Sequence, residues 1–210
     1  MVGQYRILNA MRKTEMNNEQ KWDALLHIQT SGRDAERADA YHYPYEPTPY
    51  CVLERLAESG LISKNDTVLD YGCGKGRVSY FLAAQTGAKA IGIEYDERIY
   101  REAVQNGEND SCRFELTRAE EYDVTGTVNR CYFFNPFSVE ILQSVMAKIL
   151  ASYYAEPREM LLFFYYPSDE YMCYLMSISE LDFYDEIDCD DLFEHPDARE
   201  RIIVFSLPAY

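Results

Sequence analysis

The 210-residue sequence predicts an α/β fold: a three-layer sandwich with a seven-stranded, mostly parallel sheet, an antiparallel C-terminal hairpin, and helices on both faces. Three observations carry that expectation. From Thr67 onward, short apolar strands and amphipathic helices alternate with brief connections, the pattern of repeated β-α units. Met160 to Tyr165 is apolar throughout, as a strand buried on both faces must be. Phe183 to Asp188 and Arg201 to Leu207 then follow one another with no room for a crossover helix, so they pair antiparallel at one edge.

Asn17 to Gln29 carries Trp22, Leu25, Leu26 and Gln29 at helical spacing, which predicts an amphipathic helix packed on the core. Ser31 to Pro47 is polar and turn-rich and ends in Tyr41-His42-Tyr43-Pro44-Tyr45-Glu46-Pro47. Its prolines favour extended backbone, so it reads as a strap. Thr48 and Pro49 read as the N-cap and first residue of a helix through Glu58 that buries Val52, Leu53, Leu56 and Ala57, with Gly60 as its stop. Thr67 to Tyr71 is the first strand, Gly76 to Gln85 a helix closed by Gly87, and Lys89 to Glu94 the second strand. Asp96 to Gln105 is a helix, and Cys112 to Leu116 and Val128 to Phe134 are the third and fourth strands. Ser138 caps a helix that gathers Leu142, Val145, Met146, Ile149 and Leu150 on one face, and Ser168 to Ile178 is the last helix. Residues 1–47 thus form an extension, a helix and an aromatic strap, to a domain spanning 48–210.

With 47% hydrophobic and 27% charged residues, the chain has the composition of a folded globular protein. Its longest apolar-aromatic runs, such as Leu161 to Tyr166, fall far short of the roughly 20 residues a membrane span needs. Met1 to Lys13 has scattered charges and no apolar core of a signal segment, so a cytoplasmic protein is expected. The six cysteines form no C-x-x-C pair and have no histidine at ligand spacing, which predicts reduced thiols and no metal. Net charge is −16, and residues 151–210 hold 14 acids against 3 bases. A field of that sign repels phosphate backbones and disfavours a large nucleic-acid footprint.

In the run Thr67 to Arg77, an apolar strand is followed by glycines at 72, 74 and 76 and then by a helix. Glycines there let backbone approach a ligand closely, and the free N–H groups of the first helical turn favour an anionic or polar ligand group. The dinucleotide fingerprint G-x-G-x-x-G is not met, because Arg77 holds the sixth position and the third glycine arrives one residue early.

Asp70-Tyr71-Gly72-Cys73-Gly74-Lys75-Gly76 instead resembles motif I, D-x-G-x-G-x-G, of the class I S-adenosylmethionine-dependent methyltransferases, and Ile91-Gly92-Ile93-Glu94-Tyr95-Asp96 resembles their second conserved block. The resemblance implies S-adenosyl-L-methionine as cofactor, with Asp70, Tyr71, Gly72, Cys73, Gly74 and Gly76 forming its cradle. It also implies Glu94 on the ribose hydroxyls and Tyr95 over the adenine. After the third strand, Arg118 stands where the family often has an acid, so Ala119 and Glu120 are the residues that carry over to the adenine edge.

Asn135-Pro136-Phe137 resembles a shortened N-P-P-Y motif, which implies for Asn135 a substrate-amide role, a cofactor or mouth-lining role, or a turn. Tyr41, Tyr43, Tyr45 and Tyr50 either form a lid that can meet the sulfonium by cation–π contact or pack the N-terminal helix on the sheet. Methyl transfer is an in-line displacement that needs alignment and exclusion of water more than a triad. The candidates for a catalytic role are therefore few: Asn135, Tyr43 and Tyr45, with His42 the one histidine of His27, His42 and His195 placed to act as a base. The implied reaction is methyl transfer to a small molecule or protein side chain. The alternatives are N-methylation of an RNA or DNA base through Asn135-Pro136-Phe137, and a non-catalytic module that binds an adenosine ligand.

Overall fold

The computed structural model describes residues 17–34, 36, 45–195 and 197–209. Met1 to Lys13, Tyr41, His42 and Tyr43 lie outside the described residues, so the readings made on them are not taken further.

The strands are β1 (Thr67–Tyr71), β2 (Lys89–Glu94), β3 (Cys112–Leu116), β4 (Arg130–Phe133), β5 (Met160–Tyr165), β6 (Asp182–Asp188) and β7 (Arg201–Leu207). They form one sheet in the order β3-β2-β1-β4-β5-β7-β6. Strands β1 to β5 pair in parallel, whereas β7 is antiparallel to both β5 and β6. The chain runs outward from β1 through β2 to β3 and then returns to β4 on the other side. The topological switch therefore falls between β1 and β4, and a crevice opens at their carboxyl ends. Register lines those ends up, with Tyr71 opposite both Ile93 and Phe133.

The helices are α1 (Asn18–Leu26), α2 (Tyr50–Glu58), α3 (Arg77–Thr86), α4 (Glu97–Gln105), α5 (Val139–Ala155) and α6 (Asp169–Leu175). One face of the sheet packs against α5 and α6 through Leu142, Val145, Met146, Ile149 and Leu175. Across β1, β4 and β5 that core is a row of near-parallel rings, Tyr71 on Phe133 at 4.7 Å and Phe133 on Phe164 at 4.6 Å. The other face packs against α2 and α3 through Leu53, Leu56, Val78, Phe81 and Leu82, with α4 flanking β2 and β3. β6 closes the sheet as an edge strand that is exposed along nearly its whole length.

Several local expectations change for identifiable reasons. α1 buries Asp23 and leaves Leu25 exposed, and it ends at Leu26 because His27 turns left-handed at φ +58°. Pro49, not Thr48, is the N-cap of α2, and the Thr48 hydroxyl hydrogen-bonds the Tyr132 hydroxyl at 3.0 Å. The carboxylate of Glu19, 31 positions earlier, instead accepts the N–H of Tyr50 in the first turn of α2. Ser138 stands at the N-cap of α5 without a side-chain bond to its backbone. β4 begins at Arg130, since Val128 N–H returns to Thr125 O in a turn.

Candidate active site

The cleft at the carboxyl ends of β1, β2 and β4 encloses about 1000 Å³ counting its open mouth. Its floor is the turn between β1 and α3. There the N–H groups of Gly72 and Cys73 both donate to Ile93 O at 3.0 Å, stitching the turn to β2. Gly72 has φ +70°, and a Cβ on it would stand 2.6 Å from Pro136 Cβ. Gly74 has φ +55°, and a Cβ there would stand 2.2 Å from the Tyr45 ring. Side chains are excluded twice at these positions, by the left-handed backbone and by the neighbours.

Two acids sit behind the turn. Asp70 is buried and accepts the Ser79 hydroxyl at 2.8 Å; burial pushes its carboxyl up to about 7. Glu94, equally inaccessible, is also raised by burial, a shift opposed by three backbone donors, Asp96 N–H and Tyr95 N–H at 2.9 Å and Gly74 N–H at 3.1 Å. The carboxylate is thereby fixed between the glycine turn and the start of α4. Opposite, on the short turn Ala119–Glu121 after β3, Glu120 lines the cleft with a buried Oε2 that has no hydrogen-bond partner.

Most of the residues singled out in sequence meet here. Asp70, Tyr71, Gly72 and Cys73 line the cleft from β1 and the turn, Glu94 and Tyr95 from the end of β2, and Ala119, Glu120 and Asn135 from the facing loops. Gly74 lies beneath Tyr45, and Gly76 is the N-cap of α3. The Tyr71 ring belongs to the aromatic row in the core, so its backbone is what borders the cleft. Asn135 has φ +39°; its amide donates to Tyr166 O and its Oδ1 accepts Ser168 N–H at 3.4 Å, which ties the end of β4 to the end of β5. The Tyr45 hydroxyl donates to Thr30 O at 2.6 Å, and burial raises its phenol further from titration, so a proton-accepting role does not fit it.

The strap brings Tyr45, which the sequence singled out, to the cleft, and adds walls at Asp34, Pro47 and Thr48 that sequence reasoning missed. Asp34 and Tyr45 pair as a two-bond β-bridge, and with Pro47 and Thr48 they border the cleft. What holds them is Arg77, whose side chain is 2% exposed. It bonds Thr30 Oγ1 at 2.7 Å and Thr48 O at 3.1 Å, forms an ion pair with Glu19, and lies over the Tyr50 ring at 4.3 Å. Asp23 completes the cluster, accepting from Thr30 and Tyr50. The available signal was a charged residue in the first turn of a helix that buries the rest of that turn; in the sequence it served only to reject the dinucleotide spacing.

The residues present fit an adenosyl ligand. A glycine floor admits close backbone contact, Glu94 and the unpartnered Glu120 oxygen offer acceptors to hydroxyl and amino groups, and Tyr95 and Ile99 offer apolar surface to a ring. Among the described residues no cluster of metal-ligating side chains occurs.

Residues 68–154 match the family model described as a methyltransferase domain. The chain is 41% identical over 66 residues to a protein-lysine N-methyltransferase of Saccharolobus islandicus (strain REY15A), covering 31% of this chain and 41% of that one. It is 42% identical over 55 residues to an H3 lysine-79 specific histone-lysine N-methyltransferase of Dictyostelium discoideum, 26% of this chain and 3% of that one. The matches therefore span less than half the length of these curated relatives. In fold, the chain superposes on a putative RNA methyltransferase from Pyrococcus horikoshii with a TM-score of 0.59 at 16% identity, covering 92% of this chain and 99% of that one. The strand order and the glycine turn are thus those of a Rossmann-like fold, and the stretch 68–154 that carries them is similar to methyltransferase domains.

Proposed function

We propose that this protein transfers a methyl group from S-adenosylmethionine to a protein side chain or a small molecule. The observation that carries this is the convergence of the glycine turn, Glu94 and Glu120 on one cleft at the switch point of the sheet. The bound donor supplies an electrophilic methyl on a sulfonium. This chain's part is to grip the adenosyl group and keep water out. We assign Glu94 to the ribose hydroxyls, Tyr95 and Ile99 to the adenine faces, and Ala119 with Glu120 to its edge. Asp70, by holding Ser79 in the first turns of α3, positions the glycine turn. The strap over Gly74 acts as the wall that excludes solvent, which supports a role on the substrate side for the described part of the N-terminal extension.

The acidic surface and the lysine-specific relatives favour a protein acceptor. The base-methylating alternative depends on Asn135, whose amide is engaged by Tyr166 O, and this weighs against it. The six cysteines, all free thiols, support a reducing, cytoplasmic setting. Among the described residues, no helix is long and apolar enough to cross a membrane.

Thermal melts with S-adenosylmethionine, S-adenosylhomocysteine and NAD test the donor. Either adenosyl compound at 100 times its Kd should stabilise by about 2.7 kcal/mol. A shift with NAD alone refutes the reading. Labelled-methyl transfer into extract fractions, treated separately with protease and nuclease, then distinguishes an enzyme acting on protein from one acting on nucleic acid and from a module that only binds.

A further inference from the structure

A second groove opens beside the cleft and shares a wall with it, made by Glu46, Pro47, Phe134 and Asn135. Its far side is aromatic. Phe134 packs on Tyr165 at 4.7 Å, Tyr166 follows, and Phe193 joins from the loop before β7. The hairpin brings Arg199 and Glu200 to the same place, because β7 runs antiparallel to β5 with Ile202 opposite Tyr165.

The charges in this groove leave one carboxylate over. Arg33 pairs with Glu46 at 3.7 Å and Arg199 with Asp197 at 3.4 Å, so both cations are neutralised. Glu200 accepts the neutral Tyr165 hydroxyl at 2.6 Å and has no cationic partner among the described residues. The face of Tyr166 already receives a cation, the Arg199 guanidinium at 4.3 Å. Among the described residues, an anionic occupant would find no free positive charge here. A cationic one finds a carboxylate and ring faces together, the combination that selects ammonium groups.

We infer that this groove is the acceptor site and that it takes the alkylammonium side chain of a lysine in a protein, with Glu200 as the charge partner and Tyr166 as the aromatic face. This rests on the methyltransferase reading only for what happens to the lysine afterwards; the recognition itself is a binding event.

The test is fluorescence anisotropy of the intact protein with a labelled lysine-containing peptide, with the same peptide acetylated on its lysines, and with n-butylammonium as competitor. Acetylation should weaken binding about tenfold or more. Glu200→Gln and Tyr166→Leu should each weaken the lysine peptide and leave the acetylated one unchanged. Arg199→Gln, which frees the Tyr166 face and unpairs Asp197, should tighten the lysine peptide. Melting temperature checks that each variant is folded. Equal binding of the two peptides overturns the proposal, as does retention of affinity in both the folded Glu200→Gln and Tyr166→Leu proteins. n-Butylammonium should displace the lysine peptide; if it binds while the lysine peptide does not, the commitment to a protein acceptor is overturned. Discrimination between the peptides in a protein that fails to bind S-adenosylhomocysteine would uphold the groove while refuting the methyltransferase reading.

Discussion

Replacing Arg77 by methionine should cut the N-terminal segment loose from the domain. The guanidinium is buried and serves Thr30, Thr48 O and Glu19 at once, while Asp23 lies 3.9 Å away with a side chain only 12% exposed. Removing one partner of a buried pair costs roughly 3 to 5 kcal/mol, because the other charge stays behind. The Glu19 side chain is 34% exposed and can turn to solvent, which discounts its share. Asp23 keeps its bonds from Thr30 and Tyr50. About 3 kcal/mol is left, which corresponds to a fall in Tm of about 6 to 12 °C for a chain of this size. Urea unfolding at neutral pH measures the loss, and amide exchange at Thr30 and Tyr50 shows whether α1 and the strap open before the sheet does. Affinity for S-adenosylhomocysteine should fall with it, since the strap carries Tyr45 and Thr48 to the cleft. A loss below about 1 kcal/mol, with exchange at Thr30 unchanged, would mean that the cluster does not anchor the segment.

Asp70 makes stability depend on pH with a definite sign. Its folded carboxyl is raised by burial from 3.8 to about 7, so its favourable contribution is present below about pH 4 and is lost as pH rises through 7. Three units correspond to about 4 kcal/mol, and Asp70→Asn should flatten this part of the curve and outlast the parent at pH 8 in thermal melts. An Asn variant with the parent's slope between pH 4 and 7 would remove Asp70 as the cause. Glu94→Gln removes a charged acceptor and should weaken S-adenosylhomocysteine by roughly 1 to 3 kcal/mol in calorimetry, with unchanged affinity ruling Glu94 out as the ribose partner. Gly74→Ala places a Cβ against the Tyr45 ring at φ +55° and should cost about 1 to 2 kcal/mol from the backbone alone, plus displacement of Tyr45 seen as loss of its bond to Thr30. A melting temperature within error of the parent would contradict it.

The sheet was legible in the sequence because its strands report themselves. β1, β2, β3, β5 and β7 have the bounds read from their apolar runs, and the missing crossover after β6 announced the antiparallel hairpin. The floor of the cleft and the acid behind it were legible too, since Gly72, Gly74 and Glu94 lie within two connected elements. What stayed hidden was assembled by distance. Asp23 can be buried in place of Leu25 only because Arg77, Thr30 and Tyr50 meet it, and no periodicity within α1 encodes those partners. Thr48 reads locally as a cap, yet Tyr132 claims its hydroxyl and Glu19 takes over the helix end. The second groove combines the ends of β4 and β5 with a loop about 30 residues later, and only the antiparallel register of β7 makes them neighbours.

β6 bears on how this protein behaves at working concentration. An edge strand is a template on which another chain can add, and this one carries exposed Phe183 and Tyr184. Asp182, Asp185, Glu186 and Asp188 face that hazard, with Arg201 offsetting only Glu186, and the register shift between Phe183 and Asp185 interrupts the ladder. Two copies meeting at this edge would repel each other through these carboxylates, a force that solvent conditions can switch off. Below about pH 4 the carboxylates protonate, and in about 1 M salt repulsion reaches only about 3 Å. Acid melts of this protein will therefore report association as well as unfolding, and light scattering recorded alongside them separates the two.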